Sequence, residues 1–406
     1  MFSPDRHVSI DSTWQPVEAK RFIETTFEDA ESVFAQQTFW PSHLDDGSPP
    51  NDSFFGPLYH GLAGVVWSQL ELAELGYGHI QNEYLEACRA AQQETVEGLS
   101  SHISFNNKDD YLHGLLIAEL GYLVTINKIE PTNGNSDAAI ELIKANLQNT
   151  VLELLWGSPG SILYLASLID SGKVSSKYIS LLDEGLQFLR TQLVLSPSRN
   201  ARLWKQNLYD EQVCLLGAGH GFAGNSLAVL RACDHLSEED CQFWKELIVE
   251  TAIRTADTED GFSNWQQSVD QHREERTDWL VQFCHGSPGV VICLSELMGD
   301  DSEFDRVILQ AGELTWKAGP VKKGSGFCHG TSGNGWAFLK LFKATGDELW
   351  LDRAKTFSAI AISQADERRK EVGQGRYSLW TGDQGVALFA DACISHNFTI
   401  PTLERF

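Results

Sequence analysis

Two stretches carry the residues best suited to chemistry. They are Phe-Cys-His-Gly-Ser-Pro-Gly at 283–289 and Phe-Cys-His-Gly-Thr-Ser-Gly at 327–333. Each presents a thiol and an imidazole beside a Gly-x-x-Gly turn. Cys284, Cys328 and His329 together offer two soft anionic sulfurs and one nitrogen, a donor set that suits tetrahedral Zn²⁺ with its fourth position open. A closed structural zinc site draws four ligands from short loops such as Cys-x-x-Cys pairs, and the chain has none. Three ligands and a vacancy point instead to a metal that takes part in a reaction.

For the two stretches to meet, the elements bearing them must be neighbours, and an internal repeat provides that. The Gly-x-x-Gly theme recurs as "YHGLAGVVW" (59–67), "WGSPGSILYLA" (156–166), "GHGFAGNSLAVL" (219–230), "CHGSPGVVICL" (284–294), "CHGTSGNGWAFL" (328–339) and "TGDQGVALFA" (381–390). A degenerate copy, "LHGLLIAELGYL" (112–123), is read with His113-Gly114 in the leading position and no second glycine at the expected place. Seven units result, at spacings that fit a helix pair plus loops.

Between the motifs the chain reads as helix. In 301–319, Phe304, Val307, Ile308, Ala311 and Leu314 recur every three or four residues behind capping Asp and Ser; 175–193 repeats the pattern with Tyr178, Leu181, Leu182, Leu186 and Leu189. These helices keep a polar face and belong outside. The runs after each glycine motif are apolar all round and belong inside. Clear period-two strands are few. Seven alternations predict an all-α fold, a seven-fold α/α toroid of two concentric layers, with the Gly-x-x-Gly motifs at the N-termini of the inner helices and at one end of the ring. An open solenoid is the alternative. That end would gather unpaired N–H groups and positive dipole ends, a favourable place for thiolates or a developing oxyanion. Residues 1–55 read as an irregular or helical cover containing a "DDGSPPNDS" loop (45–53), and 56–406 as the toroid.

With these motifs in hand, the run "FCHGSPGV … KKGSGFCHGTSGNGWAFL", together with "GAGHGFAG" and "YSLWTGDQGVALFADAC", resembles the lanthionine synthetase C family and its stand-alone LanC-like branch over roughly residues 55–406. The resemblance implies the seven-fold α/α toroid and one zinc held by Cys284, Cys328 and His329, leaving His285 out, which the residues alone do not decide. It implies thiol addition to dehydroalanine or dehydrobutyrine in a peptide or protein, giving a thioether and an enolate that must be protonated. His220 matches the family's catalytic histidine and would be the acid; by position alone it is also a repeat histidine like His60 and His113. Glu153, four residues before Gly157, stands where relatives carry an acidic residue that could position or deprotonate the thiol; it could equally be an ordinary carboxylate at a helix N-terminus. Bacterial peptide cyclases tend to carry arginine four residues before the first zinc cysteine. Here that residue is Leu280, with Arg276 further back, a departure that weighs against a cyclase role.

The formal net charge of −25 argues against nucleic acid and anionic membrane surfaces as partners, because a polyanion would be repelled over most of the surface. Glutathione, the thiol this reading favours, is itself anionic and needs local cations; Lys323 and Arg376, on the loops entering the sixth and seventh inner helices, stand where the resemblance would put them. The competing functions are ring closure on a lanthipeptide precursor and a non-catalytic module that binds zinc and glutathione. Eight dispersed cysteines, no basic-plus-apolar leader and no apolar run of membrane-spanning length lead us to expect a cytoplasmic protein without a membrane span.

Overall fold

The computed structural model describes residues 1–34, 39–46, 56–102, 108–270 and 279–406. Arg276 and most of the 45–53 loop lie outside these. Among the described residues are fourteen α-helices that alternate between two layers. The inner layer consists of α2 (Leu62–Glu74), α4 (Glu119–Ile129), α6 (Ser158–Asp170), α8 (Phe222–Ala232), α10 (Ser287–Leu294), α12 (Thr331–Thr345) and α14 (Asp383–Ser395). The outer layer consists of α1 (Pro16–Val33), α3 (Tyr84–His102), α5 (Asn133–Asn146), α7 (Ile179–Thr191), α9 (Glu238–Thr255), α11 (Ser302–Ala318) and α13 (Glu348–Val372). Inner helices touch in sequence: α2 meets α4, α6 meets α8, and α8, α10, α12 and α14 follow one another. Asn127 Nδ2 on α4 donates to Tyr164 Oη on α6 at 3.2 Å. The return contact of α14 with α2 closes the ring into an α/α toroid. No helix among the described residues is long and apolar enough to cross a membrane.

The layering follows from the sequence patterns. Every residue of α10 is buried, as a helix apolar on all sides requires. Outer α11 buries Phe304, Val307, Ile308, Ala311 and Leu314 and turns its polar face outward; Asp301 caps it by accepting from the N–H groups of Glu303 and Phe304, both at 2.9 Å. The N-terminal α1 is an outer helix of the same kind. Ala19, Phe22, Ile23, Phe27 and Ala30 join the main core, and the helix packs on α14, α13 and α2.

Glycine stands at the N-cap of six inner helices: Gly61, Gly157, Gly221, Gly286, Gly330 and Gly382. The second glycine of each motif has a sharper reason to be there. A Cβ on Gly333 would lie 1.9 Å from the carbonyl oxygen of Phe327, and one on Gly289 equally close to that of Phe283. Only glycine lets the incoming loop cross its own helix at this distance. The degenerate unit obeys the same rule with a different register. Gly121 meets the carbonyl oxygen of Leu115 and is the second glycine, while Ala118 takes the N-cap. The copy has therefore lost its first glycine and kept its second, and His113 is out of phase with His60 and His220.

Among the described residues, seven short strands occupy the two longest repeat spacings. β1 (Leu193–Ser196) pairs with β2 (Ala201–Trp204), β3 (Gln206–Leu208) with β4 (Glu211–Leu215), and β5 (Asp257–Glu259) with β6 (Phe262–Asn264); β7 (Ser268–Val269) joins β4, and every pair is antiparallel. They are too short to show a period-two pattern.

Candidate metal centre and acid–base pair

The loops entering the inner helices are tied head to tail by backbone hydrogen bonds. The residues concerned stand two before each N-cap. Tyr59 N–H donates to Leu116 O (2.8 Å), Leu116 to Leu155 (3.1 Å), Gly219 to Cys284 (3.3 Å), Cys284 to Cys328 (3.2 Å), Cys328 to Trp380 (2.9 Å), and Trp380 back to Tyr59 (3.3 Å). These bonds gather the side chains of successive loops at one end of the toroid. Cys284 and Cys328, forty-four positions apart in the chain, become direct neighbours.

Cys284 Sγ, Cys328 Sγ and a ring nitrogen of His329 lie within 4.8 Å of one another, with Cys328 Sγ 3.8 Å from His329 Nε2. Ligands around tetrahedral zinc stand roughly 3.4–3.8 Å apart, given bond lengths of about 2.3 Å to sulfur and 2.0–2.1 Å to nitrogen. The donor set and its spacing therefore fit such an ion after a small contraction. Both thiols are buried, and each bears on the ionisation of the other. A hydrogen bond to Cys328, together with burial, holds the Cys284 thiol well above the usual range. Burial opposes ionisation of Cys328 too, but the bond from Cys284, the His329 imidazole and the Tyr59 hydroxyl together pull it well below that range. The surroundings thus favour the thiolate of Cys328, the form in which a cysteine binds a metal. Gly219 leaves room for the other: a Cβ there would lie 2.8 Å from Cys284 Sγ.

His285 is outside this donor group. Its ring stands 6.1 Å from that of His220. His60, in the same phase of the repeat, is kept neutral: burial pushes it down to about 4.

The seventh link of the backbone ring, from Leu155 to Gly219, is not made. Leu155 N–H donates instead to Glu153 Oε2 at 3.1 Å, and Trp156 N–H to Oε1 at 2.5 Å. The same carboxylate bonds His220 Nδ1 at 2.8 Å. Glu153 is fully buried, while the His220 side chain is 20% exposed. Burial alone would lower the His220 pKa, yet the bond and charge of Glu153, with a smaller contribution from Cys328, raise it above the ordinary value. Sequence reasoning singled out both residues and missed their pairing. The signal was present: each stands just before a neighbouring inner helix, α6 and α8.

Lys323 and Arg376 line one cavity of about 780 Å³ with Lys322, Arg368 and Arg369; five carboxylates on its walls balance these five cations. Lys323 is exposed. Arg376 is engaged: its Nε and a terminal nitrogen bond Asp46 Oδ1 at 3.0 and 2.5 Å. Asp46 belongs to a 3₁₀ turn, Leu44–Asp46, whose Asp45 pairs with Arg368 at 2.6 Å. No repeat or motif marked this turn in advance. Leu280, at the position where peptide cyclases tend to carry arginine, is partly exposed.

A closed α/α toroid with two thiols and an imidazole at one end, beside a histidine paired with a buried glutamate, defines a narrow class of protein. The chain belongs to the lanthionine synthetase C-like protein family, whose sequence profile matches residues 56–403. It is 29% identical over 247 residues to glutathione S-transferase LANCL1 of Danio rerio, a match covering 58% of this chain and 55% of that protein. It is 34% identical over 135 residues to LanC-like protein GCL1 of Arabidopsis thaliana, covering 32% and 30% of the two chains. The matches thus span about half of the first relative and under a third of the second. Among solved structures, nisin cyclase superimposes with a TM-score of 0.62 at 16% identity over 94% of this chain and 95% of its own, a likeness of fold.

Proposed function

We propose that this protein is a zinc-dependent enzyme that adds a thiol, with glutathione as the donor, to dehydroalanine or dehydrobutyrine residues of a peptide or protein, forming a thioether. The observation that carries this reading is the adjacency of the Cys284–Cys328–His329 triad to the Glu153–His220 pair. Cys284, Cys328 and His329 would hold the ion; when bound, zinc would favour loss of the thiol proton and keep the sulfur nucleophilic near neutral pH. The new C–S bond forms at the β-carbon as the C=C pair moves toward the carbonyl, and the α-carbon then takes one proton. His220, whose hold on a proton Glu153 strengthens, is the group that supplies it, and the proton released by the thiol restores the balance. Lys323, and Arg376 once released from Asp46, would receive the carboxylates of glutathione. The likeness to LANCL1 of Danio rerio, named a glutathione S-transferase, supports glutathione as the thiol.

The test is incubation of the metallated protein with glutathione and a dehydroalanine peptide, read by mass spectrometry. The expected result is one glutathione added per dehydroalanine, lost on chelation and in Cys284→Ala and Cys328→Ala, each with its zinc content lowered. Full zinc in either variant would overturn the ligand assignment. Ring closure of a cysteine-containing dehydroalanine peptide without glutathione use would make the protein a cyclase. Binding of glutathione with no adduct on any peptide would make it a binding module.

A further inference from the structure

Part of the cavity that holds Lys323 and Arg376 is built by residues ahead of the family profile, which begins at residue 56. Val8, Ser9, Asp11, Ser12, His43 and Asp45 all line it. The first four stand on a segment tied to the Lys322–Lys323 loop: Val8 N–H donates to Pro320 O and Lys322 N–H to Arg6 O, both at 2.9 Å. His43 leads into the 3₁₀ turn Leu44–Asp46, which is pinned in place at three points. Asp45 pairs with Arg368, Asp46 with Arg376, and Ser42 O accepts from Gln374 Nε2 at 2.8 Å.

His43 is only 2% exposed, and it reaches the cavity from within this turn. Its Nδ1 accepts the backbone N–H of Asp45 at 3.2 Å, so the proton of the neutral ring is on Nε2. Burial lowers its pKa below the ordinary histidine value, against a pull from Asp45 and with a push from Arg376. The neutral ring is therefore the favoured form at neutral pH, and its Nε2–H has no partner among the described residues. Holding the turn alone would need only a short acceptor such as Asn, Asp or Ser. An imidazole brings a second polar edge, and the cavity is where that edge has something to meet.

We infer that His43 is a ligand-binding residue of this cavity, donating from Nε2 to a glutathione carboxylate that Arg376 also receives. A carboxylate offers about four lone-pair directions, of which a bidentate guanidinium takes about two. A neutral N–H takes another without adding charge to walls that are already balanced. Part of the thiol specificity then resides in residues that precede the profile. The inference rests on glutathione being the thiol.

The experiment uses the metallated full chain. Glutathione binding is measured by calorimetry without acceptor, and turnover of a dehydroalanine peptide is compared for glutathione and mercaptoethanol, which has no carboxylate. His43→Asn puts an amide oxygen where Nδ1 stands and keeps the bond from Asp45, but its side chain falls short of the place of Nε2. It is expected to weaken glutathione binding roughly tenfold and to lower the glutathione-to-mercaptoethanol ratio of kcat/KM by the same factor, with zinc content and Tm held. His43→Gln does the converse: it puts a donor near the place of Nε2 and gives up the bond from Asp45. It is expected to recover part of the glutathione preference. Unchanged glutathione binding and preference in His43→Asn overturns the inference and leaves thiol addition standing. A preference lower in His43→Gln than in His43→Asn makes the ring a support for the turn and also overturns it. If wild type forms no adduct but binds glutathione, and His43→Asn binds it about tenfold more weakly, the inference holds and the thiol-addition reading falls. Wild type that neither binds nor uses glutathione overturns both.

Discussion

At the scale of single residues, the chemistry turns on one hydrogen bond. His220 has its pKa raised by Glu153, so the pair stabilises the fold fully below the unfolded imidazole value of about 6.5 and loses that contribution as pH rises through the higher folded value. The same sign governs activity. An acid must be protonated, so the basic limb of kcat/KM should lie above the ordinary histidine range. Glu153→Gln keeps a hydrogen-bonding side chain but removes the charge; the basic limb is expected to move down toward 6.5 with zinc retained. His220→Asn should slow addition by about 10²–10⁴-fold, again with zinc retained. A basic limb that stays put in Glu153→Gln would mean that another group supplies the proton. Cys284 and Cys328 were legible in the sequence because the motif holding them is written twice in phase with a repeat; the choice of His329 over His285 came only with the family resemblance. The Glu153–His220 bond was not legible, because it joins loops 67 positions apart and depends on which inner helices are neighbours.

At the scale of elements, two contacts lead to measurable consequences. Asp46 occupies Arg376 with the geometry a substrate carboxylate would need. On the proposed reading the two compete, so Asp46→Asn is expected to lower the glutathione KM and Arg376→Ala to raise it, each by several-fold, with little change for a neutral thiol. Equal effects on both thiols would place Arg376 in support of the fold. The inner-helix glycines provide the second case. Gly→Ala inside a helix ordinarily gains up to about 1 kcal/mol, but at Gly333 the added Cβ meets a backbone carbonyl that cannot yield. Gly333→Ala is expected to cost about 2–4 kcal/mol and lower Tm by several degrees, read by calorimetry. The helical periods of α7 and α11, the repeat and the toroid followed from spacing and amphipathicity. The degenerate unit was misregistered because its His-Gly pair imitates the motif. Its true marker, Gly121, is defined by a crossing of backbones and not by the residues beside it.

At the scale of the whole molecule, a charge of −25 surrounds a cavity whose cations and carboxylates balance. An anionic thiol is therefore repelled at long range and held only on contact. Raising ionic strength from about 10 to 150 mM shortens the screening length from about 30 to 8 Å, which hides distant carboxylates more than it weakens a touching lysine. The kcat/KM for glutathione is expected to rise over that range, while that for a neutral thiol stays flat; a fall would show that long-range attraction dominates. The sequence reading sought a net basic patch. Balanced walls could not be foreseen, because the acids that face Lys323 and Arg376 come from segments far apart in the chain.

The ring of backbone bonds leaves one sector in which the link is completed by side chains: Leu155 to Glu153, Glu153 to His220. Seven similar units arranged about an axis would give a structure with no preferred direction around it. The substituted joint gives the circle a single distinguishable bearing, and the thiol pair lies immediately beside it. The units are consequently no longer interchangeable. A duplication or deletion of one unit elsewhere in the circle could preserve the hoop, but one spanning α6 to α8 would remove the joint together with His220, the proposed proton donor. The stretch where repetition was abandoned is therefore, like the two loops that carry the thiols, one that the circle cannot exchange for another of its units.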